Sequence, residues 1–286
     1  MKRFLALALT LSACGGAFGP AAGSPATKAP PANPNLLLAT TTSTQDSGLL
    51  DVLIPDFEKR TGYRVKTSAV GTGQALAIGE RGDADVVLVH APSLELDFMA
   101  KGAGDRRLLV MHNDFILVGP PDDPARVKGV AIGEAFRAIA AMGVSFISRG
   151  DKSGTDTFEK SIWQQVGITP DKKWYVEAGV GMGQTLTIAS EKRAYTVTDR
   201  GTFLARRGPL QLDILVEQDV KLLNVYHVIT VNAQKFPRVN KAGADAFADY
   251  LVAPETQQLI GSFGVQRYGQ PLFFPDAGKR EEDVGR

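Results

Sequence analysis

Apolar and polar positions along this chain follow two periods, and the two periods take turns. Leu36 to Thr40 is a short apolar run of strand character. A helical spacing follows, with Leu49, Leu50, Leu53 and Phe57 on one face, Asp46 and Ser47 able to cap its start, Pro55 expected to kink it and Gly62 to end it. Tyr63 to Val70 alternates as a strand, and a Gly-rich turn leads to a helix over Gln74 to Arg81. Asp85 to His90 is a nearly continuous apolar run, the signature of a strand buried on both faces, and Ser93 opens another helix.

The same alternation runs on. Arg107 to His112 and Phe115 to Val118 are two strand runs with almost no gap between them. Helices are predicted over Gly133 to Met142, Thr155 to Val166, Gln184 to Glu191 and Gly201 to Arg206. Strands are predicted at Val144 to Ile147, Trp174 to Val176 and Ala194 to Val197. Tyr226 to Val231 is the last strong strand, and helices over Ala242 to Leu251 and Pro254 to Ser262 close the pattern. Strand and helix in alternation predict an α/β fold on largely parallel sheets. Trp163, Phe146 and Tyr226 read as core. Asp83 and Asp85 read as caps, and the charged stretch after Pro275 reads as a frayed tail.

Composition narrows the class without naming a function. The chain has 286 residues, 44 % of them apolar and 22 % charged, with a net charge of +1. That suits one large globular unit or two packed lobes and lacks the basic excess of a nucleic-acid binder. Its single cysteine, Cys14, excludes an internal disulfide framework. Lys2 and Arg3 precede an apolar run from Phe4 to Leu11, and small residues stand just before Cys14. This is the layout of an export signal over residues 1–13. The LSAC tetrapeptide resembles a bacterial lipobox, which implies cleavage before Cys14 and lipidation of its thiol. Residues 14–35 are rich in Gly, Ala and Pro and read as a tether behind that anchor.

Four segments place hydroxyls, glycines or an arginine where a strand hands over to a helix. They are Thr40 to Thr44, Gly71 to Gln74, Ser148 to Thr155 and Gly179 to Gln184. The first turn of a helix has unpaired N–H groups and the positive end of the dipole, so each is a potential anion site. Glycine permits close approach, Ser and Thr add hydroxyl donors, and Arg149 adds a permanent planar charge. Any one of these turns alone reads as simple capping, and Arg149 alone as a surface residue paired with Asp151. His90, His112 and His227 show no metal-ligand spacing, so no metal cation and no cofactor is expected.

The TTTS opening, VGTGQAL, GDADVVLVHAP, HNDFILVGP and SRGDKSGT, in this order, resemble the extracytoplasmic tungstate-binding proteins of the periplasmic-binding-protein superfamily. The resemblance spans residues 36–275. It implies a two-lobed periplasmic-binding-protein type II fold that closes on ligand about two crossing strands. Residues 36–112 and 227–275 would form lobe 1, residues 113–226 lobe 2 and residues 276–286 the tail. It implies a site of Thr41, Thr42, Ser43 and Thr72 from lobe 1, facing Arg149, Ser153, Gly154, Thr155, Gly181, Met182 and Gly183 from lobe 2. It also implies a monomeric lipoprotein outside the cytoplasm that delivers tungstate to an ABC permease in the inner membrane. The loop departs from the family pattern at Lys152 and Asp156, where a second acidic residue and a histidine are expected.

Molybdate and phosphate remain alternatives. Hydrogen phosphate carries a proton and needs a carboxylate acceptor, for which Asp151 and Asp156 are the candidates. Tungstate, molybdate and sulfate need donors only. An oxyanion sensor would differ from an importer component only in its partner. An exported hydrolase using Ser153 or Ser43 would need partners the sequence does not offer: G-x-S-x-G, P-loop and H-E-x-x-H patterns are all absent.

Overall fold

The computed structural model describes residues 30–285. The export signal and Cys14 lie outside the described residues. The chain starts with β1 (Asn35–Thr41), a five-residue helix α1 (Thr42–Asp46), α2 (Leu50–Thr61) and β2 (Arg64–Val70). Where the sequence suggested one helix capped at Asp46 or Ser47, there are two, separated by a turn at Gly48. Thr41 caps α1, and Ser47 ends it instead of starting the next helix. α2 continues through Pro55 and ends at Gly62 in the left-handed region.

Next come α3 (Thr72–Glu80), β3 (Val86–Val89) and α4 (Pro92–Ala100). All four residues of β3 are buried, as its apolar run predicted. The two strand runs after it are one strand, β4 (Gly104–Gly119), sixteen residues long. The middle of the chain supplies α5 (Ile132–Met142), β5 (Phe146–Ser148), α6 (Gly154–Gln165), β6 (Tyr175–Glu177), α7 (Met182–Glu191), β7 (Thr196–Asp199), α8 (Arg200–Arg206) and β8 (Asp213–Val216). β9 (Leu223–Val231) then returns, followed by α9 (Lys241–Val252), α10 (Pro254–Ser262), α11 (Val265–Tyr268) and β10 (Phe274–Pro275).

The sheets mix directions. β1 pairs in parallel with β2 and β3, and β5 with β6. β9 runs antiparallel to β3 and to the first part of β4, and β10 covers the far side of β4. From Phe115 onward β4 leaves β9 and pairs antiparallel with β7 and β8. One strand thus serves two sheets. Trp163 and Phe146 pack in a core confined to the middle elements, where Phe136 and Tyr195 join them. Ala39, Val87, Phe98 and Ile229 centre a second core in the flanking elements. The remaining cluster, with Leu36, Phe57, Tyr226 and Phe247, also contains Ile147, Met182, Leu186 and Phe203 of the middle segment.

The tail differs from its charged sequence. Asp276 is buried, accepts from His112 at 2.6 Å and donates its amide to Val110 O, and Ala277 N donates to Gln257 at 3.0 Å. Glu281 pairs with Arg107 and with His227, and Val284 is buried. A residue-level cause is clear: Asp276 and Glu281 meet His112, Arg107 and His227 on β4 and β9, and Ala277 N meets Gln257 of α10, so the segment need not fray.

Candidate functional site

β1 delivers its threonines in sequence, each to a different task. Thr40 Oγ1 donates to Leu88 O at 2.7 Å, inside the sheet. Thr41 caps α1, accepting from Thr44 N at 3.2 Å, and its Oγ1 lies 3.1 Å from His90 Nε2. His90 Nδ1 meets Asn224 Oδ1 at 2.8 Å, while Asn224 Nδ2 donates to Asn113 Oδ1 and Tyr226 Oη. Asn224 therefore presents an acceptor, His90 carries its proton on Nδ1, and Nε2 accepts from the Thr41 hydroxyl. Burial pushes the His90 pKa down to about 4, which keeps the ring neutral. The Thr41 hydroxyl is thereby directed at His90.

Thr42 and Ser43, the first turn of α1, face the loop after β5. Arg149 Nη2 donates to Thr42 Oγ1 at 2.9 Å, and Nη1 to Ser43 Oγ at 3.3 Å. Asp151 pairs with Nη2 as well. Arg149 is 1 % exposed, and its Nε has no partner among the described residues. A buried guanidinium whose Nε and second Nη1 hydrogen are left over is a strong call for an acceptor. Both hydroxyls accept from Arg149 and so keep their own protons for donation.

The loop then turns into α6. Ser153 caps this helix, accepting from Asp156 N at 3.1 Å. Gly154 N donates to Thr72 Oγ1 at 3.0 Å, and a Cβ on Gly154 would lie 2.7 Å from His90 O. Thr155 Oγ1 is buried without a partner among the described residues. Across from it, Thr72 opens α3. Gly73 N donates to Lys152 O at 3.2 Å, and a Cβ on Gly71 would lie 2.7 Å from Asp151 O. The Gly181 turn packs on the Thr42 side chain, Met182 is fully buried, and Gly183 N donates to Asp46 Oδ2 at 3.2 Å.

The loop from Arg149 to Thr155 thus brings together Thr42 and Ser43 at the start of α1, Thr72 at the start of α3 and its own Ser153, Gly154 and Thr155 at the start of α6, with α7 beside Thr42. Thr41 stands behind this group as a cap, and the Gly183 amide is committed to Asp46.

Both carboxylates of the loop are occupied. Asp151 holds Arg149 with Oδ2 and accepts from Ser153 N at 3.1 Å with Oδ1. Asp156 faces the back of the loop, accepting from Gly150 N and Lys152 N at 3.0 Å each and pairing with Lys160 at 3.1 Å. Behind it, Glu159 accepts from Ser148, from Trp163 Nε1 at 2.7 Å and from Tyr175 Oη at 2.8 Å. Burial raises its pKa to about 7. These acids shape the loop from outside.

Several neighbours have no local sequence signal. His90, Asn113, Asn224 and Thr202, whose hydroxyl donates to Ser43 O at 3.1 Å, reach the site only through long-range folding. Asp199 is one more. It caps α8 through Thr202 N at 2.8 Å, keeps Oδ2 buried without a partner among the described residues, and has its pKa raised by burial to about 6.

A cage of hydroxyls and helix starts around a buried arginine invites comparison with known proteins. The PBP superfamily domain model matches residues 24–255. A tungstate-binding protein TupA from Peptoclostridium acidaminophilum is 47 % identical over 289 residues, covering 98 % of this chain and all of that one. The chain belongs to the tungstate-binding-protein family of the PBP superfamily. Solved structures agree. The tungstate ABC transporter from Geobacter sulfurreducens is 50 % identical, with a TM-score of 0.75 over 80 % of this chain and 98 % of the other. The tungstate-binding protein from Desulfovibrio alaskensis G20 is 46 % identical, with a TM-score of 0.71 over 85 % and 99 %.

Proposed function

We propose that this family member is the substrate-binding component of an ABC importer and captures tungstate in the cage around Arg149. The observation that carries this reading is the guanidinium. It is buried, fixed on two sides by Thr42, Ser43 and Asp151, and its Nε, like the Thr155 hydroxyl, has no partner among the described residues. An anion with four acceptor oxygens matches such a donor set. Ser153, Thr72 and first-turn amides of α1, α3 and α6 complete it. The names of the relatives point to the same ligand.

The loop chemistry favours an anion without a proton. Asp151 and Asp156 already accept from Arg149, Lys160 and backbone amides, so an acceptor for hydrogen phosphate would have to share an oxygen that is already engaged. The departures at Lys152 and Asp156 fit this reading, because Asp156 turns its charge away from the cage.

In this reading residues 36–112 with 227–275 and residues 113–226 act as two lobes, hinged where β4 and β9 cross between them. The family supports a place outside the cytoplasm and an ABC permease as partner; lipidated Cys14 as anchor and a monomeric state belong to the same reading, the first resting on the LSAC tetrapeptide.

Isothermal titration of residues 30–286 against tungstate, molybdate, sulfate and phosphate tests the proposal. Tight one-to-one binding of tungstate with phosphate silent is expected. Binding of phosphate alone would overturn the proton-free assignment and direct the acceptor role to Asp199, the nearby acid with an unpartnered oxygen.

A further inference from the structure

Beside the donor cage lies a contact of opposite character. Asp46, the last residue of α1, extends its carboxylate to the middle segment of the chain. Its Oδ2 accepts from Gly183 N, in the first turn of α7, at 3.2 Å, and its Oδ1 pairs with Arg206 Nη2, in the last turn of α8, at 2.5 Å. A Cβ on Gly183 would lie 3.0 Å from Asp46 Oδ2 and 3.3 Å from Arg206 Cζ, so only glycine admits this seating without displacement. On the other flank of the cage, Gly73 N donates to Lys152 O at 3.2 Å. The cage is therefore bracketed by two bonds, each joining the β1 side of the molecule to the middle segment.

A carboxylate beside a site for anions is a paradox unless its charge is spent. Here it is spent twice, on a helix start carrying positive potential and on a guanidinium. Asp46 cannot serve the ligand, since a carboxylate offers an oxyanion no donor. What it can do is hold the two sides together. Its exposure of 21 % and that of Arg206 at 50 % place the pair on the rim, where water competes for it and the bond is easily remade.

We propose that Asp46 is a closure latch, a positioning residue that engages Gly183 and Arg206 when the two sides meet over the anion. This rests on the proposed capture of tungstate between two lobes. The latch forms after the anion has entered, so it governs how long the anion stays and leaves the choice of anion to the cage. Bonds made late in association act on the dissociation rate.

The test follows tungstate association and dissociation by stopped-flow tryptophan fluorescence on the full-length chain, for wild type, Asp46→Ala, Arg206→Gln and the double variant. The latch predicts dissociation about tenfold faster in Asp46→Ala with association nearly unchanged. The double variant should be no worse than the worse single one, because both remove one interaction. The preference for tungstate over sulfate and the melting temperature of the ligand-free chain should stay as in wild type. Unchanged dissociation in Asp46→Ala would overturn the latch, and so would an equal loss of ligand-free stability, which marks a merely structural role. If wild type bound no oxyanion, the functional reading would fall instead. The latch, which forms only over a bound anion, would fall with it, whereas unchanged dissociation in Asp46→Ala beside tight wild-type binding overturns the latch alone.

Discussion

The Gly154 amide donates to Thr72 Oγ1 at 3.0 Å, so α6 begins on a hydroxyl supplied by α3 from the opposite side of the candidate site. This contact exists because Gly154 has no side chain. A methyl group there would stand 2.7 Å from His90 O and 2.8 Å from His90 Nδ1. Gly154→Ala is therefore expected to hold the two sides apart. Titration should show tungstate affinity reduced at least about tenfold, the equivalent of about 1.4 kcal/mol. Thermal melting of the ligand-free chain should change little, since the strain is relieved by opening.

Thr155 and Thr41 carry the same hydroxyl in different circumstances. Thr155 Oγ1 is buried without a partner among the described residues, whereas Thr41 Oγ1 caps α1 and donates to His90. Thr155→Val should leave the ligand-free stability unchanged or higher and weaken oxyanion binding by about 1 kcal/mol. Thr41→Val should lower stability by about 1 kcal/mol through the lost cap. Paired melting and titration experiments separate the two, and a stability loss in Thr155→Val would contradict the ligand role of its hydroxyl.

Arg149 is held as a fork. Its Nη atoms hold Thr42, Ser43 and Asp151, and Nε with the second Nη1 hydrogen remains to donate. Lysine keeps the charge but cannot make these bonds and still present a donor along Nε. Arg149→Lys should accordingly lose about 1.5–3 kcal/mol of binding energy, close to Arg149→Ala. Near-wild-type affinity in the lysine variant would show that charge alone suffices.

Glu159 links stability to pH. Its pKa rises on folding from 4.5 to about 7, because burial outweighs its hydrogen bonds to Ser148, Tyr175 and Trp163. The folded state then holds the extra proton between these values, and stability falls as pH rises. The contribution is fully present below about 4.5 and lost once pH passes about 7. Glu159→Gln removes this dependence and retains acceptor and donor atoms for the same partners. The stability of wild type relative to Glu159→Gln, from urea unfolding, should decline from pH 4.5 to 7.5; a flat difference would contradict the assignment.

Much of the fold was legible because helix and strand periods are local. The buried run before His90, the core role of Trp163 and the strand-to-helix turns all follow from near neighbours in sequence. The start of the α1 region was misjudged for an equally local reason: Asp46 and Ser47 cap as well as Thr41 does, and only the engagement of Thr41 with His90 from β3 decides between them. In the candidate site, residue types and turns were visible, but assignments within them were not. Nothing near Thr41 says that its hydroxyl turns to a histidine 49 positions away. Nothing near Gly183 says that its amide meets Asp46. The tail was read as frayed because its partners, Arg107, His112 and His227, lie far back in the chain.

β4 carries one further consequence. Its first part is a rung of the sheet built by β3 and β9, and its last residues are a rung of the sheet built by β7 and β8. A strand shared in this way is a common spine: neither sheet can melt without stripping hydrogen bonds from a backbone the other still grips. The cluster that joins Leu36 and Phe247 to Met182 and Phe203 tightens that mutual dependence. The molecule should therefore come apart as one, in a single cooperative transition, and a protease should find no half that survives alone.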